Sequence, residues 1–536
     1  YMAKRKKQSD VKRARQEARP VELPRTDEQL SVAIVGGGAS GIAAACAVAA
    51  CARAAQVGVR VVLLEKGRRM GSSILRSGNG RCNFSHEDMR PVLFNQPAFV
   101  EQVFDALEAA FANSPLKTSG APVRSAYENI VLQWFTSLGL VWREAPLSGG
   151  ALYPFSNKAT SVLEVLEAEL DRCAVERYCG VTVAQIAQQK DRFALELQRT
   201  EESSPGRGGA ASANAGGIAS TEAEGGTSGD RGTFLADAVV YAAGGGASSL
   251  HEQGVLTGIE RISCQPVLGP LATSTELLFG LDGIRARVRL SCDAKGFSEE
   301  GELLFRSYGI SGIVVFNASR FVETGDVVSL DFVPERSLAR LVDLLQARAA
   351  FLELRNGSAP TALDLLRGFF VPEVAHAIVR SAIENCLGAV GDRAMAAGIE
   401  AACPLDETMI EAIAKVIKSF ELEVKGIGDA GQCQVQRGGF CSGSVNAKTM
   451  EASAVSGLYL CGEALDVDAP CGGYNLHWAW SSGLLAGLSI ARDLNLLKRK
   501  TPPVPFESAD ARRKDGSCAT DPAWRIAASA LERESA

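Results

Sequence analysis

Apolar residues gather along this chain in short runs whose spacing predicts the elements. Val32–Val35 is a β-branched run that stops at a cluster of glycines. An alanine-rich stretch follows to about Ala55, and Val59–Leu64 is a second apolar run ending at Glu65. Neither run alternates apolar with polar positions, which suits a sheet covered on both faces. Strand, turn, helix and strand within roughly thirty residues predict the βαβ unit of a parallel sheet.

Further on, Tyr127–Leu138 and the amphipathic stretch Ala159–Cys173 read as helices, and Tyr178–Ile186 and Arg192–Gln198 as strands. Glu201–Gly232 is almost entirely Gly, Ala, Ser, Glu and Thr and cannot bury enough apolar surface to offset its ordering entropy. Between two strands, it reads as a disordered hairpin tip. Ala238–Ala242 is another buried strand, ending in Gly244–Gly245–Gly246. From 262 to 335 the pattern turns to short β-like runs, among them Ile284–Leu290 and Ile313–Asn317. Residues 336–420 carry helical periodicity, as in Ser337–Ala349, Thr361–Phe370 and Pro372–Asn385. Strand and glycine-turn signals of the first kind resume at Gly457–Cys461, followed by an apolar helix through Ala491.

This order predicts an α/β fold with a Rossmann-like dinucleotide-binding domain interrupted by an inserted mixed strand/helix domain. The expected boundaries are a basic tail over 1–28, the first part of the binding domain over 29–261, an inserted substrate or cap domain over 262–420, the second part over 421–495, and a tail over 496–536. A chain of 536 residues is long enough for two or three cores.

Composition changes little of this. Hydrophobic residues make up 46% and charged residues 22%, as in ordinary globular proteins. A net charge of −6 does not suggest a nucleic-acid binder, although Lys4–Lys7 and Arg13–Arg19 make a locally basic arm. No signal peptide and no run of about 20 apolar residues is evident, so a cytoplasmic protein is expected, with no membrane partner. The fourteen cysteines lack two-residue spacing and the four histidines do not cluster, which argues for reduced thiols and against a metal site.

Three segments carry candidate chemistry. In Gly36–Gly37–Gly38–Ala39–Ser40–Gly41, the first glycine permits a tight turn and the second lets a pyrophosphate reach the backbone. The third lets the helix pack on the strand, and the helix N-terminus offers amides to the phosphates. Glu65 stands where a carboxylate accepts from an adenosine ribose, which disfavours a 2′-phosphate. The loop Arg76–Ser77–Gly78–Asn79–Gly80–Arg81–Cys82–Asn83 reads either as a surface turn or as a strap along the dinucleotide. In the second case Arg81 neutralises negative charge and Asn83 addresses a flavin ring. The third segment is Gly462–Glu463–Ala464–Leu465–Asp466 and Cys471–Gly472–Gly473–Tyr474–Asn475 before the last helix. Its acids suit ribityl hydroxyls, and its glycine pair directs helix-opening amides at a flavin. An FAD site is the expectation.

With these stretches in hand, the chain resembles the bacterial NAD(P)/FAD-dependent oxidoreductases, the aminoacetone oxidase-like and BaiN-like flavoproteins. AIVGGGASGIAAA, LLEKGRRMGSSILRSGNGRCNFSH, YPFSNKATSV, GELLFRSYGISG and the run NAKTMEAS to SSGLLAG carry the likeness, from about Ser31 to Ala491. It implies a fold of the two-dinucleotide-binding-domain type and bound FAD, with Gly36, Gly38, Gly41, Glu65, Gly80, Gly245, Glu463 and Asn475 at cofactor positions. It also implies that the backbone at Val183 meets adenine. Lys66, Ala243 and Gly244 flank these positions and join the expected set. Three departures stand out. His477 replaces a usual glutamine, Ala247–Gly258 is shorter than usual, and the insert is extra.

The resemblance implies flavin chemistry with NAD(P)H as electron donor and a small-molecule acceptor such as an enone. Tyr474 and His477 are candidate proton donors by chemistry and placement. Two alternatives are carried: an oxidase of an amine or amino-ketone that makes peroxide, and a flavin-carrying RNA-associated or regulatory protein using its basic arm. The pattern does not address oligomeric state.

Overall fold

The computed structural model describes residues 24, 29–117, 129–144, 149–200, 231–245, 249–252, 254–387 and 405–497. The basic arm, most of the low-complexity insert and the C-terminal tail lie outside the described residues.

The chain begins with β1 (Ser31–Val35), α1 (Ala39–Ala55) and β2 (Arg60–Glu65). A short α2 (Ser72–Arg76) leads to β3 (Ser85–His86), then to α3 (Pro97–Ala112) and α4 (Ile130–Ser137). Next come β4 (Trp142–Glu144) and β5 (Ala151–Pro154), and β5 pairs antiparallel with both β3 and β4. After α5 (Ala159–Arg172), the chain forms β6 (Glu176–Cys179), then β7 (Val181–Gln189), β8 (Arg192–Arg199) and β9 (Arg231–Ala236), and then β10 (Ala238–Tyr241). The middle three of these five strands make an antiparallel meander, so the insert joins two paired neighbours.

Here the single strand expected over Tyr178–Ile186 is two. Gly180, at φ 71°, breaks it and donates its N–H to the Gly67 carbonyl at 2.9 Å. β6 therefore stays in the parallel sheet while β7 turns into the meander, a split that apolar periodicity alone does not show.

β11 (Arg261–Val267) leaves this layer, and β12 (Leu271–Thr273), β13 (Arg285–Cys292), β14 (Phe297–Arg306), β15 (Gly309–Ser311), β16 (Val327–Asp331) and β17 (Phe420–Ile427) close into a barrel. Its helices are α6 (Ile313–Ala318), α7 (Leu338–Asn356), α8 (Ala362–Leu366), α9 (Pro372–Leu387) and α10 (Glu407–Lys418). The β-like run Ile313–Asn317 is thus a helix. Gly312, at φ 110°, turns the chain after β15 so that Val314, Val315 and Ala318 drop into the barrel core, and tertiary burial overrides β-branched propensity. Thr361–Phe370 shortens to one turn, started by a Thr361–Asp364 capping box and stopped by Gly368 at φ 76°.

The chain returns through β18 (Val435–Phe440), antiparallel to β11, and ends in β19 (Leu458–Leu460) and α11 (Tyr474–Asp493). The parallel sheet runs β19–β10–β1–β2–β6. Its order explains the alanine-rich α1, which is buried along nearly its whole length. A Cβ on Gly483 would lie 2.2 Å from the Ser40 carbonyl oxygen, and one on Gly487 would lie 2.6 Å from that of Ala44. Only small residues let α1 and α11 approach so closely. One hydrophobic core surrounds the parallel sheet, and a second, from Leu271 to Val424, fills the barrel layer. Among the described residues no helix is long and apolar enough to cross a membrane.

Candidate functional site

The first glycine turn is fixed by contacts with its own sheet. Gly36 sits at φ 112° and donates to the Leu64 carbonyl at 2.8 Å. A Cβ there would lie 2.3 Å from the Ala242 oxygen, and one on Gly41 only 1.9 Å from the Gly36 oxygen. At Gly38 a Cβ would meet nothing nearer than Ser73 Oγ at 3.5 Å, so this face is open. No side chain caps α1 at Gly38 and its first turn holds no acid. The opening amides around Ala39 and Ser40 therefore keep their hydrogen-bonding capacity and the positive end of the helix dipole, a ready anion site. Glu65 accepts from the amides of Gly37 at 2.8 Å and Gly67 at 2.6 Å. A carboxylate held this way retains lone pairs for ribose hydroxyls. Lys66, beside it, is exposed.

In the second segment Gly78, Asn79 and Gly80 are all left-handed, and Ser77 Oγ donates to the Ile74 carbonyl at 2.6 Å. Arg81 is exposed, with its guanidinium 5.1 Å from the Tyr153 ring centre. Cys82 is buried at φ 60°, and burial pushes its thiol up to about 12. Asn83 is half-buried against Gly78.

Two tryptophans bind these loops to α11. Trp478 Nε1 donates to the Gly462 carbonyl and Trp480 Nε1 to that of Phe84, both at 3.1 Å. Gly462 N–H donates to Ser482 Oγ at 2.9 Å, and a Cβ on Gly462 would lie 2.3 Å from Ser40 Oγ. The third segment is thereby pressed against the first turn. Gly244 is 3.7 Å, from its Cβ direction, to the Glu463 carboxylate, while Gly245 packs on Gln436; Ala243 is half-buried beside them. Burial raises Glu463 to about 7, and it takes one backbone hydrogen bond, from Gln436 N at 2.5 Å. Such a group has free acceptor capacity for hydroxyl donors. A Cβ on Gly473 would lie 2.2 Å from the Ser85 oxygen and 3.0 Å from that of Asn83, so the start of α11 meets the end of the second segment.

Other candidates are engaged elsewhere. Asp466 is buried and accepts from Gly438 N at 2.9 Å and Asn95 Nδ2 at 3.2 Å, which makes it a loop anchor. Asn475 spends its amide on Ala469, accepting from its N–H and donating to its carbonyl at 2.9 and 2.7 Å. Val183 is buried on β7, where the ladder slips register just after it. Tyr474 stacks on His86 with ring centres 4.5 Å apart, and burial raises its hydroxyl to about 12. His477 is buried against Phe104, with Nδ1 2.9 Å from Ser85 Oγ, and burial lowers it to about 3. A neutral imidazole and a reluctant phenol are poorly set to donate protons, because desolvation opposes the charged form of each.

Spacing missed Asn95, Asn317, Arg320, Arg437 and Asp468. Asp468 was visible as an acid near the glycine pair, but nothing local identifies the arginines that meet it. The open face at Gly38, the uncapped α1 and the under-coordinated Glu463 together fit FAD. Glu65 and Glu463 would hold its sugar hydroxyls, the amides of Ala39 and Ser40 its phosphates, and Gly472–Gly473 its ring. When bound, the flavin supplies hydride and electron transfer.

The model of the HI0933-like protein Rossmann domain matches residues 30–489. A protein of Clostridium scindens named 3-dehydro-bile acid delta(4,6)-reductase is 31% identical over 86% of this chain and 98% of its own. Two proteins named ribosomal RNA dihydrouridine synthase are similar as well. The one from Haemophilus influenzae is 26% identical, over 86% of this chain and 98% of its own, and that from Escherichia coli 24%, over 85% and 96%. This chain belongs to the HI0933-like Rossmann-domain family.

Proposed function

We propose that NAD(P)H reduces the bound FAD, which then passes hydride to a carbon–carbon double bond conjugated to a carbonyl. The observation that carries the flavin part of this reading is the junction of Ser40 with Gly462 and of Gly244 with Glu463, which brings groups suited to phosphate and to sugar hydroxyls together. The names of the relatives support the acceptor class. One is a reductase of dehydro bile acids, and a dihydrouridine is a uridine whose ring double bond has gained two hydrogens. Both are additions of hydride and proton across an enone-like bond. A small-molecule acceptor is the first reading. Uracil in RNA is the second, favoured by those two names and by exposed Lys66, Arg68, Arg69, Arg76 and Arg81 beside the first turn.

The experiment begins with an absorbance spectrum of the purified protein. Anaerobic reduction by NADH or NADPH follows, and then reoxidation by enones, by uracil-containing RNA, or by air. Reoxidation by an enone faster than by air supports the first reading, and selective reoxidation by RNA the second. Peroxide formed with an amine would replace both by an oxidase. A protein that stays colourless after FAD is added would falsify the flavin reading.

A further inference from the structure

The loop that opens α11 is gripped from the barrel layer. Asp468, 1% exposed, receives Arg320 Nε at 2.6 Å and Arg437 Nε at 2.8 Å. Arg320, 3% exposed at its side chain, also donates to the carbonyls of Asp468 at 3.1 Å and Leu93 at 3.4 Å. Arg437 donates in turn to the Arg320 carbonyl. Burial alone would raise the Asp468 carboxyl, but the guanidiniums overcome it and hold the group low and ionised. Three residues before Arg320, the buried Asn317 accepts from Cys471 N at 2.9 Å and donates to both Glu299 oxygens, at 2.8 and 3.0 Å. One short segment, the end of α6, therefore holds both ends of Asp468–Cys471.

An apolar contact would join the two layers equally well, since burying charge is costly and a buried pair is weak evidence for stability. What the charged arrangement adds is direction. Guanidinium–carboxylate pairs are geometrically specific and fix where the loop sits. The two guanidiniums face two acids, Asp468 and Glu299, so what this arrangement sets beside them is the Gly472–Gly473 turn, whose amides begin α11 at its positive end.

We infer that Asn317 and Arg320 are positioning residues for the flavin: through Asp468 and the Cys471 amide they fix the Gly472–Gly473 turn and so raise the flavin's reduction potential. This rests on the flavin reading above. The groups act on the cofactor's electronics through the loop and do not touch substrate themselves. Reduction adds negative charge to the ring, and a fixed array of amides at the positive end of α11 favours the reduced form.

The test is a redox-dye titration of the FAD-loaded full chain, with FAD affinity read by fluorescence and stability by a thermal melt. Wild type is compared with Asn317→Ala, Arg320→Met and Arg320→Lys. Asn317→Ala and Arg320→Met are expected to weaken the preference for reduced over oxidised flavin about tenfold, about 30 mV for a two-electron couple. Arg320→Lys should recover much of that loss. Variants that melt lower yet titrate at the wild-type potential would make both residues merely structural and overturn the inference. If Arg320→Met does not accumulate folded, Asn317→Ala decides alone, since it removes no charge. A wild type that takes up no FAD defeats the flavin reading, and this inference with it, before any variant is compared.

Discussion

The two glycine turns of this site look alike in sequence and are held in opposite ways. Gly36–Gly41 is locked by backbone within its own sheet, where the Gly36 and Ala242 oxygens leave no room for a methyl group. Gly472–Gly473 is held by remote side chains: Asn317, Arg320 and Arg437 anchor the preceding loop, and Asn95 Oδ1 accepts from Asp468 N at 2.8 Å. The first is a steric device and the second an electrostatic one. A steric turn is rigid in every condition, whereas one built from charges and hydrogen bonds answers to pH and to movement of the barrel layer.

The largest effect should come from the steric turn. Gly41→Ala forces a methyl group into the Gly36 backbone and is expected to cost about 4 kcal/mol or more, in the range of severe core disruption, as read by denaturant unfolding. A variant that unfolds like wild type would break the comparison. Next comes Arg320→Met, which leaves Asp468 buried with Arg437 alone. Breaking a buried pair typically costs about 3–5 kcal/mol, and the remaining partner should keep this variant at the low end. An unchanged melt would show that the second turn does not depend on charge.

Glu463 sharpens the contrast through pH. Its folded value, about 7, lies above the ordinary 4.5, so the apoprotein holds its full stability below about pH 4.5 and loses it as pH rises toward 7. Glu463→Gln should remove that loss and gain on wild type across this window, by at most about 3.5 kcal/mol at about 1.4 per pH unit. Parallel pH curves for the two proteins would contradict the burial argument. The smallest effect is expected for Gly38→Ala. With open space at the Cβ, apoprotein stability should shift by under about 1 kcal/mol. FAD uptake, measured by fluorescence, should nevertheless weaken, because the methyl group faces the space left for the pyrophosphate.

The first turn and Glu65 were legible because the strand, glycines, helix and acid that signal them lie within one βαβ unit, although β10 and the Ala242 oxygen that complete the packing come from far along the chain. The alanine-rich α1 was legible as a buried helix, although its reason, the close approach of Gly483 and Gly487, lies at the other end of the chain. Reading failed where local pattern and tertiary demand disagree. Ile313–Ala318 has strand-like residues but must turn its apolar face into the barrel, and the run after Tyr178 changes sheets at a single glycine. The proposed roles of Tyr474 and His477 rested on residue type. Burial and stacking, invisible in the pattern, leave one a weak acid and the other neutral.

By itself, then, the sequence determined the family, the α/β class and a glycine turn in which Gly41 meets the Gly36 oxygen, a steric contact between neighbours in the chain. Only the tertiary structure decided what surrounds the far end of the site. Arg320 and Asp468 stand 148 positions apart, and Asn95 and Asp468 stand 373. Charges find such partners through the fold, because electrostatic contact depends on distance in space and leaves no periodicity in the chain.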